Sequence, residues 1–313
     1  MGFSETGKVW MNGRLVDWKD ATLHVATHVI HYGTGVFEGI RAYDSKAGTN
    51  VFRLPEHMRR LGDSCRVYRM DPPYSFDELS EAVLDTIRAN GFKSCYIRPL
   101  VYRGYSQLGV NPLPNPVDVT ILVWEWDKYL SDDALSQGVD VGVSSWTRLA
   151  PNTVPALAKA TANYANSALI KMQAIVDGYA EGIALDESGL ISEGSGQNLF
   201  LVRDKVVYTS SLTSSILQGI TRDTVLRLSQ DLGFEVREQP LPREFLYLAD
   251  EAFLCGTAVE ITPIRSIDKI AVGSGRRGPV TAALQERFFG IIRGDLPDTY
   301  RWLTPVGAAV TAN

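Results

Sequence analysis

No apolar run in these 313 residues approaches the roughly 20 needed to span a bilayer, so nothing in the chain reads as a membrane helix. Positive charge is not in excess either. The 31 basic residues face 36 acidic ones, a net charge of −5, which makes nucleic acid and anionic membranes poor partners. Cysteine is scarce: Cys65, Cys95 and Cys255 lie far apart and are odd in number, as expected for buried thiols in a reducing compartment. The opening MGFSETGKVW has neither the basic nor the apolar region of a secretory leader. It fits a myristoylation pattern through Gly2 and Thr6, a short pattern that recurs by chance. Repeats and low-complexity segments are also missing. A soluble cytoplasmic protein is the expectation.

What is present suffices for a large interior. The chain is 45% hydrophobic, and its length favours two domains of roughly 130–180 residues each. Alternation predicts strands at residues 9–11 and 14–18, joined by an Asn12-Gly13 hairpin turn, then at 36–43 and 51–54. Helical spacing of Met58, Leu61, Cys65 and Tyr68 predicts a helix from about Pro55, and another runs from about Ser75 to Asn90. Buried strands follow at 95–102 and 117–126. The polar stretch 128–140 is the expected linker between a small N-terminal α+β domain (1–127) and a larger C-terminal α+β domain (141–313). In the latter, strands are expected at 141–145, 182–186, 199–202, 206–208 and 251–255, with helices around 159–176 and from Thr221. Strands and helices mix without strict alternation, which points to α+β rather than a doubly wound sheet.

Several motifs carry two readings. His24, His28 and His31 are spaced for one helical face, which suits a metal. Their neighbours Val25, Val29 and Ile30 are strand formers, and no carboxylate or cysteine completes a ligand set. Packing or hydrogen bonding is therefore the expected role, and no metal is expected. Gly273-Ser274-Gly275-Arg276-Arg277-Gly278 fits a dinucleotide fingerprint as a string, yet only 35 residues follow it. A turn ahead of a helix begun by Pro279 is the simpler reading. Gln218-Gly219-Ile220-Thr221 opens an amphipathic helix whose amino end would suit a phosphate, with an ordinary threonine cap as the alternative. Gly256-Thr257-Ala258 is a second turn of small residues. Lys159 sits between Ala158 and Ala160 in a stretch without acidic residues from 150 to 173. Desolvation lowers an amine pKa, as a Schiff-base lysine requires. Glu193 reads either as a solvated turn carboxylate or as a buried functional one.

Taken in order, these segments resemble the branched-chain amino acid aminotransferases of the fold-type IV PLP (pyridoxal 5′-phosphate) enzymes. The likeness is carried by His31-Tyr32-Gly33-Thr34-Gly35-Val36-Phe37-Glu38-Gly39-Ile40-Arg41, Glu56-His57-Met58-Arg59-Arg60-Leu61 and Tyr96-Ile97-Arg98-Pro99. It continues through Ala158-Lys159-Ala160 with Asn163-Tyr164, Ile191-Ser192-Glu193-Gly194, Gly219-Ile220-Thr221-Arg222-Asp223 and Gly256-Thr257-Ala258-Val259-Glu260-Ile261. The resemblance implies a two-domain fold-type IV enzyme using PLP. Lys159 would hold the cofactor and then shuttle the substrate proton. Glu193 would keep the pyridine nitrogen protonated, and Tyr164 would meet the phenolate oxygen. Arg59, Ile220, Thr221 and Thr257 would cup the phosphate, with Leu217, Gly219 and Gly256 completing the cofactor site.

By the same resemblance, Tyr32, Phe37, Trp126, Tyr129 and Tyr164 would wall an apolar pocket, with Gly39 beside it. Tyr96, Arg98, Thr257 and Ala258 would handle carboxylates, including the side chain of 2-oxoglutarate. Leu108 and Val110 would reach a neighbouring subunit's site in a homodimer or a hexamer of dimers. The implied activity moves amino groups between leucine, isoleucine or valine and 2-oxoglutarate by a ping-pong mechanism. Two departures from the common pattern, Ser195 and Gln197, stand away from the chemistry. Arg103 and Tyr105 are expected near the pocket mouth, where an added cation or ring would widen the substrate range. A D-amino acid or (R)-amine transaminase, or a lyase of the same fold, would share Lys159 and Glu193. A non-catalytic binding protein would tolerate Lys159→Ala.

Overall fold

The computed structural model describes residues 6–125 and 133–307. The chain divides into two compact units. The first comprises Met1–Asp127, Ala158–Ala162 and Gly290–Asn313; the second comprises Lys128–Leu157 and Asn163–Phe289. The expected division into contiguous halves therefore differs from what is seen, because two later segments add to the first unit's sheet.

The first unit opens with strands β1 (Lys8–Met11) and β2 (Arg14–Asp17). Asn12 and Gly13 both take positive φ (45° and 90°) between them, the conformation of a tight hairpin turn. A short helix α1 (His28–Tyr32) follows, then β3 (Gly35–Phe37), β4 (Ile40–Ser45) and β5 (Gly48–Phe52). The β-branched letters around His28 had suggested a strand. The helix forms instead with Gly33 at its end, in the left-handed region, its N–H donating to the Val29 carbonyl. The single strand expected over 36–43 is broken at Glu38-Gly39.

Helices α2 (Leu54–Val67) and α3 (Phe76–Asn90) come next, followed by long strands β6 (Cys95–Arg103) and β7 (Val117–Trp124). Ser75 and Glu78 form a capping box at the start of α3, satisfying two amide donors that the helix leaves open. Leu54, Met58 and Leu61 of α2 and Leu79, Val83 and Ile87 of α3 pack on Ile97, Val101, Val119 and Ile121. Since strand side chains alternate, the even positions Tyr96 and Arg98 of β6 are left for the opposite face.

In the second unit, α4 (Ala134–Gln137) leads into β8 (Val139–Val143). Residues 133–140 of the expected linker are thus regular structure, and 128–132 lie outside the described residues. Next come α5 (Asn163–Val176), β9 (Glu181–Leu185), β10 (Ile191–Gly194), β11 (Asn198–Arg203), β12 (Val206–Thr209) and α6 (Ile220–Asp231). Then follow β13 (Val236–Glu238), α7 (Phe245–Leu248), β14 (Glu251–Gly256), β15 (Glu260–Ile267), β16 (Ile270–Ala271) and α8 (Pro279–Arg293). Back in the first unit, β17 (Leu303–Pro305) pairs antiparallel with β5. Among the described residues the first sheet has eight strands, ordered β17-β5-β4-β6-β7-β1-β2 with β3 also on β6. The second has nine, ordered β10-β9-β8-β15-β14-β11-β12-β13 with β16 on β15.

Two expectations gain a physical account here. The glycine-rich string 273–278 is a turn before α8: Glu251 accepts from the amides of Val280 and Thr281 at 2.9 and 2.8 Å. A carboxylate already occupies that helix end, so a phosphate has no place there. The three cysteines are free and buried; burial pushes the Cys65 and Cys95 thiols up to about 12.

Candidate active site

Within the first unit, Lys159 lies not in the helix expected from 159 onward but at a tight turn, where Ala160 N donates to the Ala158 carbonyl at 2.9 Å. The backbone explains why. The Lys159 carbonyl accepts from Phe37 N at 3.0 Å, and Thr161 N donates to the Gly35 carbonyl at 2.8 Å. Ala160 bridges Val36, so the segment adds to β3, and helix α5 begins only at Asn163. Lys159 N donates to Ser64 Oγ on α2 at 3.0 Å. Flanked by the buried Ala158 and Ala160, its side chain carries Nζ to 5.1 Å from the centre of the Phe37 ring.

Beside it, β6 and β7 build an aromatic wall around one cation. The Arg98 guanidinium carbon lies 4.6 Å from the Phe37 ring centre, 5.3 Å from that of Tyr96 and 5.7 Å from that of Trp124. Each such contact contributes about 0.5–2 kcal/mol, and together they hold the guanidinium in place. Its Nε is buried with no hydrogen-bond partner. Gly39 has a steric cause: a Cβ there would fall 2.1 Å from Tyr96 Oη.

The break between β3 and β4 is fixed by a buried charge cluster that the sequence did not single out. Glu38 is fully buried. Its carboxylate accepts from Arg60 Nε at 2.7 Å and Nη2 at 2.8 Å, and pairs with His57 Nδ1 at 2.6 Å. Burial pushes the Glu38 carboxyl up, but Arg60 and His57 outweigh it and hold the group well below the usual range. Burial also lowers the His57 pKa, against the pull of Glu38. Arg59, on the same helix, is exposed.

The second unit holds the carboxylate. Glu193 is 4% exposed on β10, so it is not a solvated turn carboxylate. Arg148 Nη2 donates to Oε1 at 2.8 Å and Asn198 Nδ2 to Oε2 at 2.9 Å, while Leu217 N reaches both oxygens at 3.2–3.3 Å. Arg148 is itself braced by Asn166 Oδ1 at 3.0 Å. Asn198 Nδ2 also donates to the Leu217 carbonyl at 3.0 Å, so one network spans β10, β11 and the residue three positions before α6. Gly219 caps α6, and a Cβ there would meet Asn198 Oδ1 at 2.0 Å. The helix has no side-chain cap. Thr221 is therefore not the threonine cap of the plainer reading; it is a buried residue in the first turn, next to Ile220. Gly256 ends β14, and Thr257 and Ala258 form the half-buried turn into β15. Tyr164 lies at the start of α5.

The remaining expected residues are peripheral or lie outside the described residues. Tyr32, Leu108 and Val110 are exposed by 41%, 50% and 89%. Trp126 and Tyr129 are outside the described residues; Trp124 provides the indole of the wall. One expectation is corrected. Arg103 is 5% exposed, its guanidinium donating to the backbone carbonyls of Asn115 at 3.1 Å and Arg69 at 2.6 Å. It pins a loop and is not a cation at a pocket mouth. Gln197, one of the two departures, donates to the buried Glu181 at 3.0 Å. Sequence reasoning missed Glu38 as an anchor, His57, Arg60, Arg148 and Asn198. Most of their partners are distant in the chain; Asn198 lies only five residues from Glu193, but no motif marks it as a donor.

The model of the amino-transferase class IV family matches residues 35–267. The branched-chain-amino-acid aminotransferase of Salmonella typhimurium is 55% identical over 301 residues, covering 96% of this chain and 97% of its own. The crystal structure of the Escherichia coli branched-chain amino acid aminotransferase superposes with a TM-score of 0.95 at 53% identity, over 96% of this chain and 100% of the other. The branched-chain amino acid aminotransferase from Thermobaculum terrenum, solved in its PLP (holo) form, superposes with a TM-score of 0.91 at 37% identity. That match covers 97% of this chain and 100% of the other.

Proposed function

The chain belongs to the class IV aminotransferases as a branched-chain-amino-acid transaminase, and we propose that it exchanges amino groups between leucine, isoleucine or valine and 2-oxoglutarate with PLP as cofactor. The donor set fits that cofactor. It needs an amine, a fixed carboxylate, and cationic and amide donors for a phosphate. Lys159 offers the first. Glu193, oriented by Arg148 and Asn198, offers the second. The amino end of α6, which has no side-chain cap, and the exposed Arg59 offer the third.

When bound, PLP supplies a ring that accepts electrons from the amino acid's Cα. Lys159 Nζ takes the proton from that carbon and later returns one to the incoming oxo acid. Glu193 would keep a proton on the ring nitrogen, and Tyr164 would donate to the phenolate oxygen. Arg59, Ile220, Thr221 and Thr257 would bind the phosphate, with Leu217, Gly219 and Gly256 completing the cofactor site. The oxo acid formed from the first amino acid would leave before the second substrate enters, giving a ping-pong sequence that ends with release of the new amino acid.

The observation that carries the substrate reading is the Arg98 box. Phe37, Tyr96 and Trp124 present an apolar surface to a branched side chain, while the guanidinium they hold serves the second carboxylate of glutamate or 2-oxoglutarate. Gly39 leaves room beside Tyr96, and the Thr257-Ala258 turn takes the α-carboxylate. The exposed Tyr32 joins the wall, and Leu108 and Val110 reach a neighbouring subunit's site in a homodimer or a hexamer of dimers. Their exposure here supports that reading. Among the described residues no helix is long and apolar enough to cross a membrane; the cytoplasm is the compartment we propose.

Arg98→Met tests the box. A charge-assisted hydrogen bond is worth about 1.5–3 kcal/mol, so KM for L-glutamate should rise roughly 10- to 100-fold while KM for L-leucine changes little. Equal effects on both donors would remove Arg98 from this role.

A further inference from the structure

We infer that His28 is a positioning residue that sets the loop carrying Leu108 and Val110, and through it the enzyme's fit to apolar side chains. The inference rests on the reading above, in which Tyr32, Leu108 and Val110 line substrate pockets of the assembled enzyme.

His28 is fully buried, although it belongs to a five-residue surface helix. Its Nε2 lies 2.8 Å from the Gly109 carbonyl and its Nδ1 2.8 Å from Thr34 Oγ1. A carbonyl only accepts, so Nε2 carries the proton. In the neutral ring Nδ1 then accepts from the Thr34 hydroxyl. Both nitrogens are satisfied by this one tautomer, and the ring is locked between α1 and the loop.

Each thing His28 touches bears on the expected pocket. Its ring lies 4.5 Å from that of Tyr32. Gly109 stands between Leu108 and Val110, and its φ of +140° is a conformation that side-chain-bearing residues rarely adopt. The glycine has no side chain to anchor, so its carbonyl is the handle. Farther along, Gln107 N donates to Asn115 Oδ1 at 2.9 Å, and the buried Arg103 holds the Asn115 carbonyl. Those bonds fix the base of the loop; His28 fixes its tip. Leu108 and Val110 are the exposed side chains on either side of that tip.

Two substitutions separate this latch from general packing. Asn at position 28 reaches as far as Nδ1 and keeps the Thr34 bond but not the Gly109 bond. Gln reaches as far as Nε2 and can still donate to Gly109. The full-length holoenzyme of each variant is compared with wild type in kcat and KM for L-leucine and L-glutamate, and in amide hydrogen exchange over residues 107–111.

His28→Asn should raise KM for leucine about 2- to 10-fold, the weight of one net hydrogen bond. Its kcat and its KM for glutamate should stay within about twofold of wild type, and loop exchange should quicken. His28→Gln should resemble wild type in all of these. An unchanged leucine KM in His28→Asn, or an equal loss with both donors and in kcat, would overturn the proposal. A wild-type enzyme unable to use leucine would instead refute the reading beneath it, and the exchange comparison would still decide the latch.

Discussion

Glu38→Gln removes one charge and almost no volume from the most enclosed carboxylate of the first unit. Glu38 is fully buried, His57 is 2% exposed, and the Arg60 side chain is 13% exposed. The substitution leaves the Arg60 guanidinium without its counter-charge and turns an amide N–H₂ toward groups that themselves donate. Breaking one partner of a buried pair costs about 3–5 kcal/mol. For a unit of this size each kcal/mol moves the melting midpoint by about 2–4 °C, so the variant should melt roughly 6–20 °C lower at pH 7. The sign with pH follows. The Glu38 carboxyl is held below its ordinary value of 4.5, so the unfolded chain binds its proton first. Its contribution is present above pH 4.5 and is lost as pH falls toward the folded value. The gap between wild type and variant should therefore narrow below pH 4.5, by up to about 1.4 kcal/mol per pH unit. His57 is held below its ordinary 6.5 by burial, and it adds acid sensitivity to both proteins from pH 6.5 downward. Differential scanning calorimetry at pH 7.0, 5.0 and 3.5 reads all of this. A gap under about 2 °C at pH 7, or one that widens toward pH 3.5, would refute the reasoning.

Arg148→Met breaks a second buried pair and should lower the melting temperature as Glu38→Gln does. In the folded enzyme it should release Glu193 from its orientation, slowing leucine turnover about 100-fold as expected for a small misplacement of a reacting group. Steady-state rates with saturating PLP check it, and rates within about twofold of wild type would contradict it. Gly39→Ala places a Cβ 2.1 Å from Tyr96 Oη but 3.0 Å from the ring carbon behind it. Overpacking should cost about 1–3 kcal/mol. The double variant Gly39→Ala/Tyr96→Phe should regain most of the lost melting temperature; no recovery would place the strain elsewhere.

Much of the first unit was legible because its signals are local. The Asn12-Gly13 turn, the helix start at Ser75 and the 3–4-residue spacing of Met58, Leu61 and Cys65 each act within a few residues. The errors came where distant partners override local preference. The run Ala158-Lys159-Ala160 suits a helix by its letters, yet its hydrogen bonds go to β3, more than a hundred residues earlier. His28 to Tyr32 has strand-forming letters in a helix capped by Gly33. For the candidate site, the lysine and carboxylate could be named only through family resemblance, since Glu193 alone fitted a turn equally well. The groups around them were not visible: Arg148, which orients Glu193, is 45 residues away in sequence, Asn198 is close but carries no motif, and Glu38, which anchors the β3–β4 break, is 22 from Arg60. Arg103 showed the opposite failure, an arginine near the expected pocket whose burial makes it a loop anchor.

The most direct test of the account is the absorption spectrum of the purified, PLP-loaded protein, with Lys159→Ala as control. The Lys159 backbone bonds do not depend on its side chain, so the control should fold normally. In the wild type a yellow band should bleach on adding L-leucine and return on adding 2-oxoglutarate, and Lys159→Ala should show no such cycle. A wild-type band that bleaches with D-alanine or an (R)-arylamine but not with L-leucine would contradict the branched-chain assignment. A protein that stays colourless with excess PLP would contradict the cofactor itself.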